Sequence, residues 1–207
     1  MARMNAPRRI ALLGSTGSIG RSALEVIAAL PERLKAVALA GGANVELMSA
    51  QVAAFRPALV AMATQEAAAD LRQRLCAAGL ALPQILHGAE GLLAVATQSG
   101  ADLLLAATVG IAALPAISAA LGAGCDLALA NKEALVVAGR LLLQQAAATG
   151  AAILPVDSEH SAIHQCLRSG TAGEIERITL TASGGPFRRL SAAALEKVTP
   201  QQALRHP

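Results

Sequence analysis

Along the first 150 residues, short uninterrupted apolar runs alternate with longer segments that read as helices. The runs at 9–13, 36–40, 58–63, 84–86, 103–107 and 126–129 read as strands. The segments 18–30, 45–55, 65–78, 90–97, 114–123 and 133–149 between and after them read as helices. The strands lack polar alternation, as expected for strands covered on both faces. Strand–helix alternation of this length predicts an α/β fold with a doubly wound, Rossmann-like parallel sheet. After Gly150 the rhythm changes. A strand at 151–156, a helix at 161–168, an alternating strand at 175–182, a turn at 183–186 and two short helices, 191–197 and 200–204, read as the start of a smaller α/β domain. The expected boundary falls near Gly150, giving domains 1–150 and 151–207. The second is marginal in size for a core of its own.

Composition refines this picture. The chain has 207 residues, of which 54% are hydrophobic, yet Phe55 and Phe187 are its only aromatics. The core must therefore be built from Ala, Leu, Val and Ile, which suits closely packed helix–sheet layers. A net charge of +3 with 15% charged residues is too weak and dispersed for a nucleic-acid partner. Cys76, Cys125 and Cys166 form no CxxC pair and read as buried, reduced thiols of a cytoplasmic protein. The apolar run after Arg3, Arg8 and Arg9 stops within four residues at Gly14, too short for a signal-peptide core. The uncharged stretch from Leu103 to Cys125 is long enough to span a bilayer, but Gly110, Pro115, Gly122 and Gly124 interrupt it. Strand plus buried helix explains it better, so no membrane association is expected.

The candidate chemistry lies in two places. Gly14-Ser15-Thr16-Gly17-Ser18-Ile19-Gly20 follows the first strand and opens the first helix. Glycine permits a tight turn and close backbone approach, and the helix N-terminus presents free N–H groups to a pyrophosphate. Ser15, Thr16 and Ser18 add hydroxyl donors. NAD sites place an acid at the end of the second strand for the ribose 2′-hydroxyl. Here that place holds Ala40-Gly41-Gly42-Ala43-Asn44, which leaves room for a 2′-phosphate and points to NADP. The second place is Leu154-Pro155-Val156-Asp157-Ser158-Glu159-His160-Ser161. In an extended chain, residues i and i+2 share a side, so Asp157 and Glu159 converge. Two such carboxylates suit a hard divalent cation, Mg2+ or Mn2+, or else form a solvated strand end. His160 and His164 are spaced as a helical zinc pair, but the residues between them lack the Glu of a zinc hydrolase.

Taken in order, the glycine loop, Ala130-Asn131-Lys132-Glu133, Leu154 to Ile163 and Thr181-Ala182-Ser183-Gly184-Gly185-Pro186-Phe187-Arg188 resemble the 1-deoxy-D-xylulose 5-phosphate reductoisomerase family of the non-mevalonate isoprenoid pathway. The resemblance covers essentially the whole chain, including Thr199 to Pro207. It implies an NADPH- and divalent-metal-dependent isomerisation and reduction of 1-deoxy-D-xylulose 5-phosphate, a sugar phosphate, to 2-C-methyl-D-erythritol 4-phosphate. It makes 1–150 the NADPH-binding domain and 151–207 an incomplete catalytic domain. By motif, Gly14, Thr16, Gly17, Ser18 and Ile19 would cradle the pyrophosphate, with Gly42, Ala43 and Asn44 near the 2′-phosphate. Asn131 and Glu133 would contact the cofactor. Lys132, Ser158, Ser183 and His206 would hold substrate. Asp157 and Glu159 would bind Mn2+ or Mg2+, with Lys132 and Glu159 as catalytic residues. The full-length family implies a homodimer.

Three departures stand out. Ala134 replaces a common Ser, and Ala43 replaces a common Lys or Arg. The family's continuation past His-Pro, with a covering loop, an Asn-Lys pair and a third metal-ligand Glu, is absent. The chain therefore reads as a C-terminally truncated reductoisomerase with impaired activity. The alternatives are an inactive NADP-binding module and another NADP-dependent dehydrogenase.

Overall fold

The computed structural model describes residues 6–181 and 185–204. Seven strands form one sheet: β1 (Arg8–Leu13), β2 (Leu34–Ala40), β3 (Leu59–Met62), β4 (Gln84–His87), β5 (Leu103–Ala106), β6 (Asp126–Leu129) and β7 (Ile153–Pro155). Six helices follow the first six strands in turn: α1 (Ser18–Ala29), α2 (Val45–Phe55), α3 (Gln65–Ala77), α4 (Gly88–Thr97), α5 (Leu114–Gly122) and α6 (Lys132–Thr149). The strand order is β4-β3-β2-β1-β5-β6-β7, and every pairing is parallel. The chain builds outward from β1 to β4, returns to the centre at β5 and builds the other way. The winding thus reverses between β1 and β5.

The short apolar runs dictate this arrangement. In β1, Ala11 and Leu13 enter one buried cluster while Ile10 and Leu12 enter the other. The first cluster joins the sheet to Val95 of α4, Ile117 and Leu121 of α5 and Leu142 of α6. The second joins it to Leu24 of α1, Met48 of α2 and Leu71 of α3. A strand covered on both faces has no solvent side to carry polar residues, which is why the alternation is missing. Each fully buried Leu contributes about 1.5–3 kcal/mol relative to exposure. At the strand N-terminal ends, Arg8 pairs with Asp126, and Arg9 clasps Asp102 through Nη2 at 2.7 Å and its backbone N–H at 2.8 Å. These bonds tie β1 to β5 and β6 at the edge opposite the glycine loop.

The uncharged stretch after Leu103 is β5, a loop and α5. Among the described residues, no helix is long and apolar enough to cross a membrane. Two compact units emerge, up to Asp157 and from Ser158 onward. β7 lies beyond Gly150 yet pairs with β6 through Leu127–Ile153, Ala128–Leu154 and Leu129–Pro155, so it completes the first unit's sheet.

The second unit contains α7 (Ser158–Leu167), α8 (Ala192–Leu195), α9 (Pro200–Ala203) and short 3-10 turns at Ala172–Glu174 and Gly185–Phe187. None of its described residues is buried. The alternating strand expected at 175–182 does not form over its described part, 175–181. A strand needs a hydrogen-bonding neighbour, and this segment makes no ladder; Ile178 and Leu180 remain exposed. The thiols also depart from expectation. Cys76 and Cys166 are exposed, and Cys125 is half-buried, where burial raises its thiol above the usual range.

Candidate nucleotide site at the sheet switch point

The loops after β1 and β5 flank the crevice where the winding reverses, the usual ligand position in doubly wound sheets. The first loop is held from below. The backbone N–H groups of Gly14 and Ser15 both donate to Ala40 O at 2.8 Å, and Gly17 N–H donates to Gly14 O at 3.1 Å. Gly14 has φ +89°, and a Cβ there would lie 2.6 Å from Ala107 O. A Cβ at Gly20 would lie 2.2 Å from Gly14 O. Both glycines are therefore demanded by the fold: one by the contact with the β5 loop, the other by close seating of α1.

Gly17 differs. Its φ of −77° and ψ of 175° suit any residue, and a Cβ would meet only Gly14 O, at 3.4 Å. Nothing among the described residues requires glycine here, and the space beside it is open. Gly17 caps α1 without a side-chain bond, and the helix's first turn carries no acid. Its leading N–H groups and partial positive charge face solvent at exposed Ser18 and Ile19. Thr16 is half-buried and its hydroxyl accepts from Gly42 N–H at 3.4 Å, which joins the glycine loop to the end of β2. Ser15 corrects the sequence-based reading. It is fully buried, and its hydroxyl donates to Gln51 Oε1 at 2.8 Å instead of facing a ligand.

The end of β2 runs through exposed Gly42, Ala43 and Asn44. Asn44 caps α2, its side chain accepting from Leu47 N–H at 2.9 Å. The nearest acid, Glu46, pairs with Arg74 of α3 at 3.7 Å.

Across the crevice, Asn131 is buried and caps α6 by accepting from Ala134 N–H at 2.9 Å. Its Nδ2 donates to both Thr108 O and Gly110 O at 2.7 Å. Both amide hydrogens are thus used on the β5 loop. The side chain thereby shapes that loop. Between the two anchored carbonyls, Val109 stands 88% exposed. Thr108 Oγ1 is buried with no partner among the described residues. Lys132 and half-buried Glu133 open α6, and Lys132 Nζ lies 3.2 Å from Asp157 Oδ2 just past β7.

The acidic segment differs from its sequence-based picture. The extended chain ends at Pro155 and α7 begins at Ser158, so the same-side argument for Asp157 and Glu159 does not apply. Glu159 sits in the first turn of α7 and accepts from Ser158 Oγ at 2.6 Å. Among the described residues, no group of three or more His, Cys, Asp or Glu is arranged to hold a metal. Ser183 and His206, expected to hold substrate, lie outside the described residues.

A glycine loop and an uncapped helix N-terminus at the switch point define a dinucleotide-binding α/β protein. Comparison with known proteins narrows the class. The family model for 1-deoxy-D-xylulose 5-phosphate reductoisomerase matches residues 10–139, and that for the reductoisomerase C-terminal domain matches residues 153–207. The chain belongs to the 1-deoxy-D-xylulose 5-phosphate reductoisomerase family. It is 50% identical over 200 residues to the reductoisomerase of Pelotomaculum thermopropionicum, covering 97% of this chain and 51% of that protein. It is 54% identical over 201 residues to that of Xanthomonas oryzae pv. oryzae, covering 97% and 50%. A solved DOX-P reductoisomerase in complex with magnesium superposes with a TM-score of 0.83 at 38% identity, covering 97% of this chain and 52% of that one. The Zymomonas mobilis enzyme in complex with NADPH gives 0.82 at 38% identity, covering 96% and 51%. The chain spans about half the length of the curated relatives it matches.

Proposed function

We propose that this chain carries the NADPH-binding half and part of the catalytic half of a reductoisomerase. The whole protein would convert 1-deoxy-D-xylulose 5-phosphate to 2-C-methyl-D-erythritol 4-phosphate. The observation that carries the reading is the uncapped N-terminus of α1 above Gly17, a glycine that the fold itself does not need. Solved relatives that hold NADPH, or NADPH with fosmidomycin and magnesium, support it.

Bound NADPH would supply hydride, and a divalent metal would polarise the substrate carbonyl. The chain's own groups do the rest. The N–H groups at Thr16, Ser18 and Ile19 offer donors to the pyrophosphate. Gly42, Ala43 and Asn44 leave open, acid-free space for the ribose 2′-phosphate. Asn131 shapes the β5 loop across the crevice, and Glu133 lies on α6 beside it. Lys132, at the start of α6 and 3.2 Å from Asp157, would serve as a substrate contact, and Asp157 would be a ligand for the cation. Ser158, Ser183 and His206 complete the proposed substrate contacts, and Glu159 joins Asp157 at the metal. We place the protein in the cytoplasm, with a homodimer as the full-length assembly and neither nucleic acid nor membrane as a partner.

The test is fluorescence titration with both nicotinamide cofactors. NADPH should bind more tightly than NADH, because no carboxylate at the end of β2 repels a 2′-phosphate or chelates a 2′-hydroxyl. Equal or tighter NADH binding would overturn the assignment of the β2 loop.

A further inference from the structure

The structure assigns Gln51 of α2 as the positioning residue of the glycine loop, an inference that rests on the loop's reading as a pyrophosphate cradle. Gln51 is 5% exposed, and its carboxamide closes on a single residue. Its Oε1 accepts from Ser15 Oγ at 2.8 Å, and its Nε2 donates to Ser15 O at 2.9 Å. Ser15 is itself fully buried, and its own N–H is already spent on Ala40 O. Every polar group of Ser15 is therefore satisfied from inside the protein, two of them by Gln51.

The consequence reaches the open face of the loop through peptide geometry. In a trans peptide, the carbonyl of one residue and the N–H of the next point to opposite sides. No peptide bond here is cis. Holding Ser15 O inward on Gln51 thus turns Thr16 N–H outward, and that N–H takes no backbone acceptor among the described residues. Without the clasp, the Ser15–Thr16 peptide is free to rotate, and the donor it aims at the crevice is lost as a preorganised group. Preorganisation is where such a residue acts, since a donor already in place costs no ordering on binding. Gln51 also belongs to the helix that starts at the Asn44 cap, so one carboxamide couples the glycine loop to the body that carries the β2 loop.

The experiment uses the 207-residue chain and two probes. NADPH contains the pyrophosphate; adenosine 2′-monophosphate keeps the 2′-phosphate and lacks the pyrophosphate. Gln51→Met preserves length and removes both hydrogen bonds. Binding is measured by nicotinamide fluorescence and by calorimetry, with thermal unfolding as the check on folding. The expected result is NADPH weakened by about tenfold, the loss of roughly one well-placed donor, with adenosine 2′-monophosphate held within about twofold. Ser15→Ala, which deletes only the hydroxyl, should shift the same ratio in the same direction and by less. It carries the test if Gln51→Met fails to fold. Adding Ser15→Ala to Gln51→Met should cost nothing further. Unchanged NADPH affinity in a folded variant, or equal losses for both probes, would overturn the role. Failure of the unmodified chain to bind NADPH would instead remove the cradle reading, and the clasp's function with it.

Discussion

The three glycines of the first loop perform different work, and substitution separates them. Gly20 lies where a Cβ would be 2.2 Å from Gly14 O, so Gly20→Ala must displace α1 or the loop. It should destabilise the fold by about 1–3 kcal/mol, as overpacking does. Gly17 adopts a backbone conformation open to any residue. Gly17→Val should therefore leave thermal unfolding nearly unchanged and weaken NADPH binding, because its side chain occupies ligand space. Unfolding scans and NADPH titrations on both variants check the contrast; unchanged NADPH affinity in Gly17→Val would reassign the loop. The acids past β7 permit a second prediction. Asp157 is paired with Lys132 at 3.2 Å and Glu159 with Ser158 Oγ at 2.6 Å, and no group of three or more His, Cys, Asp or Glu among the described residues is arranged to hold a metal. Mn2+ should bind weakly and lose affinity in both Asp157→Asn and Glu159→Gln. Spin-resonance titration decides; tight binding that survives both changes would place the cation elsewhere.

At the scale of elements, the sheet is fastened at two ends by different means. The strand C-terminal ends are joined by loops that leave donors free. The N-terminal ends are joined by charge, above all Arg9 and Asp102. The hydrogen bond from the Arg9 side chain, with that from its backbone, holds the Asp102 carboxyl below the usual carboxylate range. A carboxylate depressed in the folded state stabilises fully above its unfolded pKa, near 3.9, and loses that contribution as pH falls through the lower folded value. Asp102→Asn should therefore reduce stability evenly through neutral pH, with the gap to the parent closing only in acid below about pH 4. The side chain is 40% exposed, so solvent screening limits the effect to about 0.5–1 kcal/mol. Denaturant titrations at neutral and acid pH measure it; a gap that widens in acid would contradict the pairing.

At the scale of the molecule, two compact units differ in kind. The first has a core on each face of its sheet, whereas none of the second's described residues is buried. The proposed turnover would need an active site closed off from water. A polypeptide of these 207 residues alone, with the two acids proposed as metal ligands and about half the length of the curated relatives, should turn over 1-deoxy-D-xylulose 5-phosphate far more slowly than a full-length relative. NADPH consumption with Mn2+ compares them; rates within about tenfold would make the site assignment wrong, since even a 1 Å misplacement costs on the order of a hundredfold.

The sequence by itself determined the first unit almost completely. Continuous apolar runs as short as Leu59–Met62, bounded by turn signals, favour a doubly covered strand over a helix, and a glycine loop between strand and helix admits few conformations. Periodicity and turn chemistry are local, so α2 and β6 fall where they were expected, residue for residue. Tertiary structure alone decided what long-range partners settle. Ile153–Pro155, just beyond Gly150, joins the sheet through β6. The segment 175–181 has strand-like alternation but no strand beside it. Ser15 turns from presumed ligand donor to buried anchor because Gln51, 36 residues on, reaches it. Gln51 left one local trace, a polar residue beside buried Met48 and Val52 on α2. Its two bonds exist only because β1 and α2 are brought together by the fold, and hydrogen bonding between distant residues leaves no periodic signal in the chain.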